Sequence, residues 1–168
     1  RIKKVIVTGC LAERYADEIA ENMPDADVIA GLGCNGNIVE IVNRALEGET
    51  LRLKGKKDEL PIEGERELYS LPFYAYLKIA EGCDNNCAYC AIPAIRGRFR
   101  SRPMENIIKE AEMLAKNGVT ELVVIAQDTS RYGKDLYGEY KLAELLRELC
   151  KIDGIHWIRT LYVYPERI

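Results

Sequence analysis

Glu121-Leu122-Val123-Val124-Ile125-Ala126 is an unbroken apolar run between the stop signal Gly118 and the polar stretch opening at Gln127-Asp128-Thr129. A short β-branched run without polar alternation reads as a strand buried on both faces, as in a parallel sheet covered by helices. Upstream, Ile107, Ile108, Ala111, Leu114 and Ala115 recur at helical spacing, with Pro103 placed as the first helical residue, Ser101 as a cap and Gly118 as the stop. Residues 74–80 form an earlier strand. Beyond the long polar loop 127–140, Leu142, Leu145, Leu146 and Leu149 mark another helix, and residues 157–164 a last strand. Strand, loop, helix, twice over and then a strand, is the opening half of a βα barrel. Sites in such folds lie at the C-terminal ends of the strands. The loops beginning at Glu81 and at Gln127 both leave strands at that end, so they are expected to meet at one mouth.

The first 49 residues read as a separate piece of α/β structure. Residues 2–7 form a strand and Thr8-Gly9-Cys10 a tight turn. A helix follows over about 12–22, with Leu11, Tyr15, Ile19 and Met23 spaced by four on its inward face and Pro24 as its end. Val28-Ile29-Ala30 is a second strand. The next helix points Ile38, Val39, Ile41, Val42, Ala45 and Leu46 inward and ends at Gly48. Alternating strand and helix imply a parallel sheet, too short here to be a complete domain. Gly31, Gly33 and Gly36 satisfy Gly-x-Gly-x-x-Gly between strand and helix. Glu49 and Asp58 lie loosely at the distance of a ribose-binding acid, but no third strand precedes them. The segment is therefore read as a loop shaped by its glycines, able to donate backbone amides, and not as a dinucleotide site. Residues 50–71, dense in Lys, Glu, Gly and Pro, read as a linker. The division is thus 1–49, a linker 50–71, and 72–168.

The chemistry is concentrated in Ala80-Glu81-Gly82-Cys83-Asp84-Asn85-Asn86-Cys87-Ala88-Tyr89-Cys90. Three thiolates at intervals of four and three residues can face one point from a short loop. They are one fewer than a closed tetrahedral zinc site or an ordinary ferredoxin cluster takes. A 4Fe-4S cluster held by Cys83, Cys87 and Cys90 would leave one iron open to a small molecule. A structural zinc loop or packed core cysteines are the bland alternatives; zinc ribbons, however, pair Cys-x2-Cys units, and no second pair occurs.

Composition limits the rest. The 168 residues are 48% hydrophobic with a net charge of −3, outside the disordered regime. No apolar run approaches the ~20 residues of a membrane span, so no membrane partner is expected. The mild acidity argues against wholesale phosphate binding, and no DNA partner is expected. Three of the six cysteines crowd into eight residues, which suits metal ligation in a reducing, cytoplasmic setting better than disulfides. Both ends interrupt strand-like runs, so the chain is expected to be part of a longer protein.

The spacing of Cys83, Cys87 and Cys90, with the aromatic Tyr89 before the third cysteine, resembles the signature of the radical S-adenosylmethionine (SAM) enzymes. Thr8-Gly9-Cys10-Leu11-Ala12-Glu13-Arg14 and residues 76–85, Ala91-Ile92-Pro93, Ile95-Arg96-Gly97 and Arg100-Ser101-Arg102 are similar to one branch of them, the methylthiotransferases. Ala126-Gln127-Asp128-Thr129 resembles the members that modify a ribosomal protein, where tRNA-modifying relatives resemble Gly-Gln-Asn-Val.

The resemblance implies a partial N-terminal methylthiotransferase α/β domain followed by the first half of a radical SAM partial (βα) barrel. It implies a 4Fe-4S cluster on Cys83, Cys87 and Cys90 that binds SAM and cleaves it to a 5′-deoxyadenosyl radical. Tyr89 would pack beside the adenosine, with Gln127 and Arg96 as further cofactor contacts. Cys10 would be one of three ligands of a second, auxiliary 4Fe-4S cluster that supplies sulfur. The other two ligands are absent from this sequence, so these 168 residues alone are expected to be inactive. The implied reaction is insertion of a methylthio group at the β-carbon of an aspartate in a small-subunit ribosomal protein, on the ribosome or off it, with an external electron donor. A tRNA adenosine substrate and a non-enzymatic metal-binding module are the alternatives. Arg96, Arg98, Arg100 and Arg102 form a basic run suited to a carboxylate or a ribosomal surface, or simply a solvated face. Asp128 reads as a base or as a group that orients its loop. His156 reads as structural and Cys150 as a core residue. No role is assigned to Cys34, and no residue is singled out as catalytic.

Overall fold

The computed structural model describes residues 2–64, 66–68 and 71–167. Two compact units emerge: residues 1–61 with 85–97, and residues 62–84 with 98–168.

In the first unit, β1 (Ile6–Thr8), β2 (Val28–Ala30) and β3 (Leu51–Leu53) form a parallel sheet in that order. Ile6 pairs with Val28 and Val28 with Leu51. Alternation along β2 sends Val28 and Ala30 to one face, against Ile41 and Ala45 of α3 (Ile38–Leu46), and Ile29 to the other, with Ala12 and Ile19. β3 lies inside the stretch read as linker and supplies the third strand that reading lacked. Its Leu51-Arg52-Leu53 alternation is too brief to stand out among the surrounding charges.

The helix expected over 12–22 is two, α1 (Cys10–Arg14) and α2 (Ala16–Asn22), broken at Tyr15. The break resets the helical phase. Leu11, Tyr15 and Met23 are therefore exposed, and the buried stripe is Ala12 and Ile19 with Ala16 and Ala20 packed alongside. Small residues let the helices approach the sheet closely. On α3 only Ile41 and Ala45 are fully buried; Val39 and Leu46, expected inward, are 72% and 54% exposed because they lie off the stripe that one helix face can bury.

In the second unit, β4 (Tyr74–Lys78), β7 (Glu121–Ile125) and β8 (Trp157–Thr160) form a parallel sheet in the order β4-β7-β8. The connections run through α5 (Met104–Lys116) and α7 (Leu142–Leu149). Ala75 and Leu77 of β4, Leu122 and Val124 of β7, Ile107, Ala111 and Leu114 of α5 and Leu145 and Leu149 of α7 share one continuous core. This is the mixed α/β, parallel-sheet frame expected of a barrel's opening half. Two expectations change here. Ser101 does not cap α5: Pro103 is the residue before its first turn, and Ser101 belongs to β6 (Arg100–Ser101). Cys150 is exposed, not core, because it falls just past the end of α7. His156 is exposed as well; its backbone N–H donates to Thr120 O at 2.8 Å. No helix among the described residues is long and apolar enough to cross a membrane.

Candidate functional site

β4 ends at Lys78, and the chain turns at once into β5 (Ala80–Glu81), which pairs antiparallel with β6, Ala80 opposite Ser101 and Glu81 opposite Arg100. This short ladder closes the base of the loop 82–99. Gly82 leaves it at φ +78°, a conformation that glycine adopts without the steric cost of a Cβ, immediately before Cys83. The base is held by charge. Glu81 is fully buried, and one carboxylate oxygen meets Lys78 Nζ at 2.7 Å while the other accepts the Gly82 N–H at 3.2 Å. Burying a polar group is costly unless its hydrogen-bonding capacity is met in this way.

Arg102, read as part of a basic run, is 4% exposed. Its guanidinium meets Glu110 at 2.7 Å and Glu63 at 3.3 Å and donates to Lys78 O at 2.6 Å. It is a structural strut. Arg98 alone of the four is exposed.

The loop after β7 comes to the same end of this sheet. Asp84, next to Cys83, accepts the Phe99 N–H at 3.1 Å and pairs with Arg131 at 3.5 Å, and Arg131 lies over the Phe99 ring, 5.9 Å from its centroid. The expected meeting of the Glu81 and Gln127 loops is present. Asp128, Thr129, Ser130 and Tyr132 are all fully buried. Ser130 Oγ donates to Asp128 Oδ1 at 2.5 Å, and Thr129 Oγ1 donates to Leu161 O at 2.8 Å. Asp128 thus orients its loop. Tyr132 donates to Arg102 O at 2.9 Å, and burial pushes its phenol well above the ordinary range, so it stays protonated. Ser101 Oγ donates to Asp135 Oδ1 at 2.6 Å and accepts the Gly133 N–H at 2.9 Å. Two atoms stand out against this satisfied network: Gln127 Oε1 and Arg131 Nε are buried without a hydrogen-bond partner among the described residues. A buried acceptor of this kind calls for a donor that the described residues do not supply.

Cys87, Tyr89, Cys90 and Arg96 belong to the first unit, with Cys10. Cys90 N–H donates to Cys87 O at 3.0 Å, a tight turn, and Cys90 Sγ accepts the Ile92 N–H at 3.5 Å. Tyr89 is 92% exposed, its ring open for stacking. α4 (Ile92–Arg96), with Pro93 in its first turn, ends at Gly97 and packs Ile95 with Leu32 and Leu60. Arg96 Nη2 donates to Cys10 Sγ at 3.2 Å.

The glycine loop is explained by packing. A Cβ on Gly33 would lie 2.3 Å from Lys56 O, and one on Gly55 would lie 2.3 Å from the Gly33 carbonyl carbon, so two backbones abut. The Leu32 amide is already given to Glu13 Oε2 at 3.0 Å. Cys34 packs beside β2, and burial pushes its thiol pKa up, which makes it a poor source of thiolate.

All six cysteines are thiols outside any disulfide. Three of them within eight residues match an iron–sulfur cluster in donor chemistry, and the orphaned Gln127 acceptor fits a polar cofactor. Among the described residues no three Cys, His, Asp or Glu side chains are drawn together around one point. The assignment therefore stands on donor chemistry and spacing.

A family model described as the radical SAM superfamily matches residues 77–167, more than half of the chain. The chain belongs to the radical SAM superfamily. More narrowly, it is 56% identical over 99% of its length to the ribosomal protein uS12 methylthiotransferase RimO of Desulforamulus reducens. It is 52% identical over 99% to the protein of that name in Clostridioides difficile, and 48% over 100% to that of a Thermoanaerobacter species. The chain spans 38% to 39% of these relatives' length.

Several residues of this region have no individual role in the sequence reading: Glu81, Asp84, Arg131 and Asp135. Glu81 alone carried a signal, a carboxylate three residues after Lys78 at the end of a mostly apolar run.

Proposed function

We propose that this chain is part of a radical SAM methylthiotransferase that inserts a methylthio group at the β-carbon of an aspartate in the small-subunit ribosomal protein uS12. The observation that carries this is the Cys83-x3-Cys87-x2-Cys90 loop lying inside the matched superfamily region of a chain about half identical to uS12 methylthiotransferases. The C–H bond to be replaced has neither an acidic proton nor a leaving group, so acid–base chemistry offers little. A bound iron–sulfur cluster with SAM supplies the radical chemistry that such a bond requires.

The chain's own residues bind, orient and exclude water. Cys83, Cys87 and Cys90 would hold the cluster, and Cys10 would be one ligand of the auxiliary cluster. Gln127 Oε1 is suited to accept a hydrogen bond from SAM, and the open ring of Tyr89 to stack on its adenine. Arg96 is a candidate for the SAM carboxylate. Buried Ile79, Ala80 and Phe99 line the loop's base, where solvent would otherwise quench a radical. An external reductant and a cytoplasmic setting complete the proposal.

The test uses the full-length protein, reconstituted anaerobically with iron and sulfide. Cys87→Ala is expected to remove one cluster, about four irons per chain, together with the SAM-induced change in the EPR spectrum. Mass spectrometry should then find methylthiolated uS12 with the unsubstituted protein only. A colourless protein that binds zinc would sink the proposal, and product on tRNA alone would move the substrate.

A further inference from the structure

We propose that Arg96 is a positioning residue that ties the segment carrying Cys87 and Cys90 to Cys10; the identity of these cysteines as cluster ligands rests on the function proposed above. Residues 85–97 are an excursion from the second unit's chain, yet they pack as part of the compact unit that contains Cys10. Three contacts seat them. Ile95, 9% exposed, packs with Leu32 and Leu60, with Cys10 and Ala91 against the same cluster. Lys57 Nζ donates to Ala94 O of α4, and the same ammonium lies 3.8 Å from Glu13 of α1. Arg96 Nη2 donates to Cys10 Sγ at 3.2 Å, across 86 residues of sequence.

The first two contacts dock the helix, and the third is aimed at a sulfur. A guanidinium is always charged and carries five N–H donors in a rigid fork. Toward a thiolate sulfur its hydrogen bond becomes charge-assisted. Hydrogen bonds to ligand sulfurs withdraw negative charge and are among the levers that set a cluster's reduction potential. Arg96 would therefore do two things through one bond: fix the segment bearing Cys87 and Cys90, and raise the potential of a cluster held at Cys10. Neither effect follows if its guanidinium only serves the SAM carboxylate.

The experiment compares Arg96→Met and Arg96→Lys with the unsubstituted full-length protein after anaerobic reconstitution. Hydrogen exchange across peptide 85–97 should accelerate about tenfold in Arg96→Met, since the segment loses a tertiary anchor. In an EPR-monitored redox titration, the one-electron equilibrium constant of the auxiliary cluster should fall about tenfold, about 59 mV more negative. Arg96→Lys should lie between, because lysine restores the charge without the fork. Unchanged exchange and potential, with SAM binding weakened, would overturn the proposal and make Arg96 a SAM contact. Should Arg96→Met fail to take up iron, exchange is read on the unloaded full-length protein against Cys10→Ala and the double variant. The double variant should then exchange no faster than either single one, and additive effects would overturn the proposal. Zinc in place of iron in the unsubstituted protein would sink the proposed function, while the exchange measurement would still decide on Arg96.

Discussion

Both units build a three-stranded parallel sheet, yet they hold it by different means. In the second unit, strands of five, five and four residues share one uninterrupted apolar core running from Ala75 to Leu149. In the first, each strand has three residues, and the apolar material divides into three small clusters, one on each face of the sheet and a third of Leu32, Leu60 and Ile95. Backbone contacts and polar ties supplement it. Gly33 abuts Gly55, Asp27 Oδ2 takes the Val5 N–H at 2.8 Å, and Arg52 Nη2 donates to Ala26 O at 3.1 Å. Where buried area is small, each directional contact is a larger share of what keeps the strands in register.

Three substitutions put that contrast at risk. Leu122→Ala removes a fully buried side chain from β7 and should cost about 2–5 kcal/mol in denaturant unfolding. A loss no greater than that of a glycine substitution in the first unit would deny the second its dominant core. Gly33→Ala forces a methyl to within 2.3 Å of a carbonyl oxygen and should cost about 1–3 kcal/mol. Gly31→Ala meets the Glu13 carboxylate at the same 2.3 Å. It should cost less, because a side chain can swing aside and a backbone cannot.

Asp27→Asn gives the smallest effect and the one with a pH signature. The hydrogen bond from Lys4 at 2.8 Å, helped by the Val5 N–H, holds the Asp27 carboxyl below its ordinary 3.8. A depressed folded-state pKa means stability that is present above the unfolded value and lost as pH falls through the folded one. The melting temperature of Asp27→Asn should therefore lie below that of the unsubstituted protein at pH 7 and draw level as pH drops below about 3.8. A gap that persists under acid would mean that packing, not charge, ties β1 to β2.

The same contrast explains what could be read in advance. The second unit was legible because its strands are long apolar runs and its helices keep one clean stripe, so Leu122, Ile107 and Leu145 announce their burial. The cysteine loop stands out in the sequence because donor chemistry and spacing are local properties. In the first unit the pattern misled: a break at Tyr15 changed which residues of the helical segment face inward, and the three residues of β3 carried too little signal. Arg96 on Cys10 was beyond reach, because nothing local says that a helix after Cys90 will dock beside the residue after Gly9. The ties of Asp84 to Arg131 and of Asp135 to Ser101 were hidden for the same reason, since the partners lie 47 and 34 residues apart.

Thr129 carries a consequence for how the chain is made. Its hydroxyl and its backbone N–H donate to the carbonyls of Leu161 and Tyr162, so the buried turn that follows Gln127 is latched by residues 32 and 33 positions later. At synthesis rates of about 5–20 residues per second, those carbonyls emerge roughly 2–7 s after Thr129 itself. For that interval the nascent loop is held only from the side already made, by Asp84, Ser101 and Arg102.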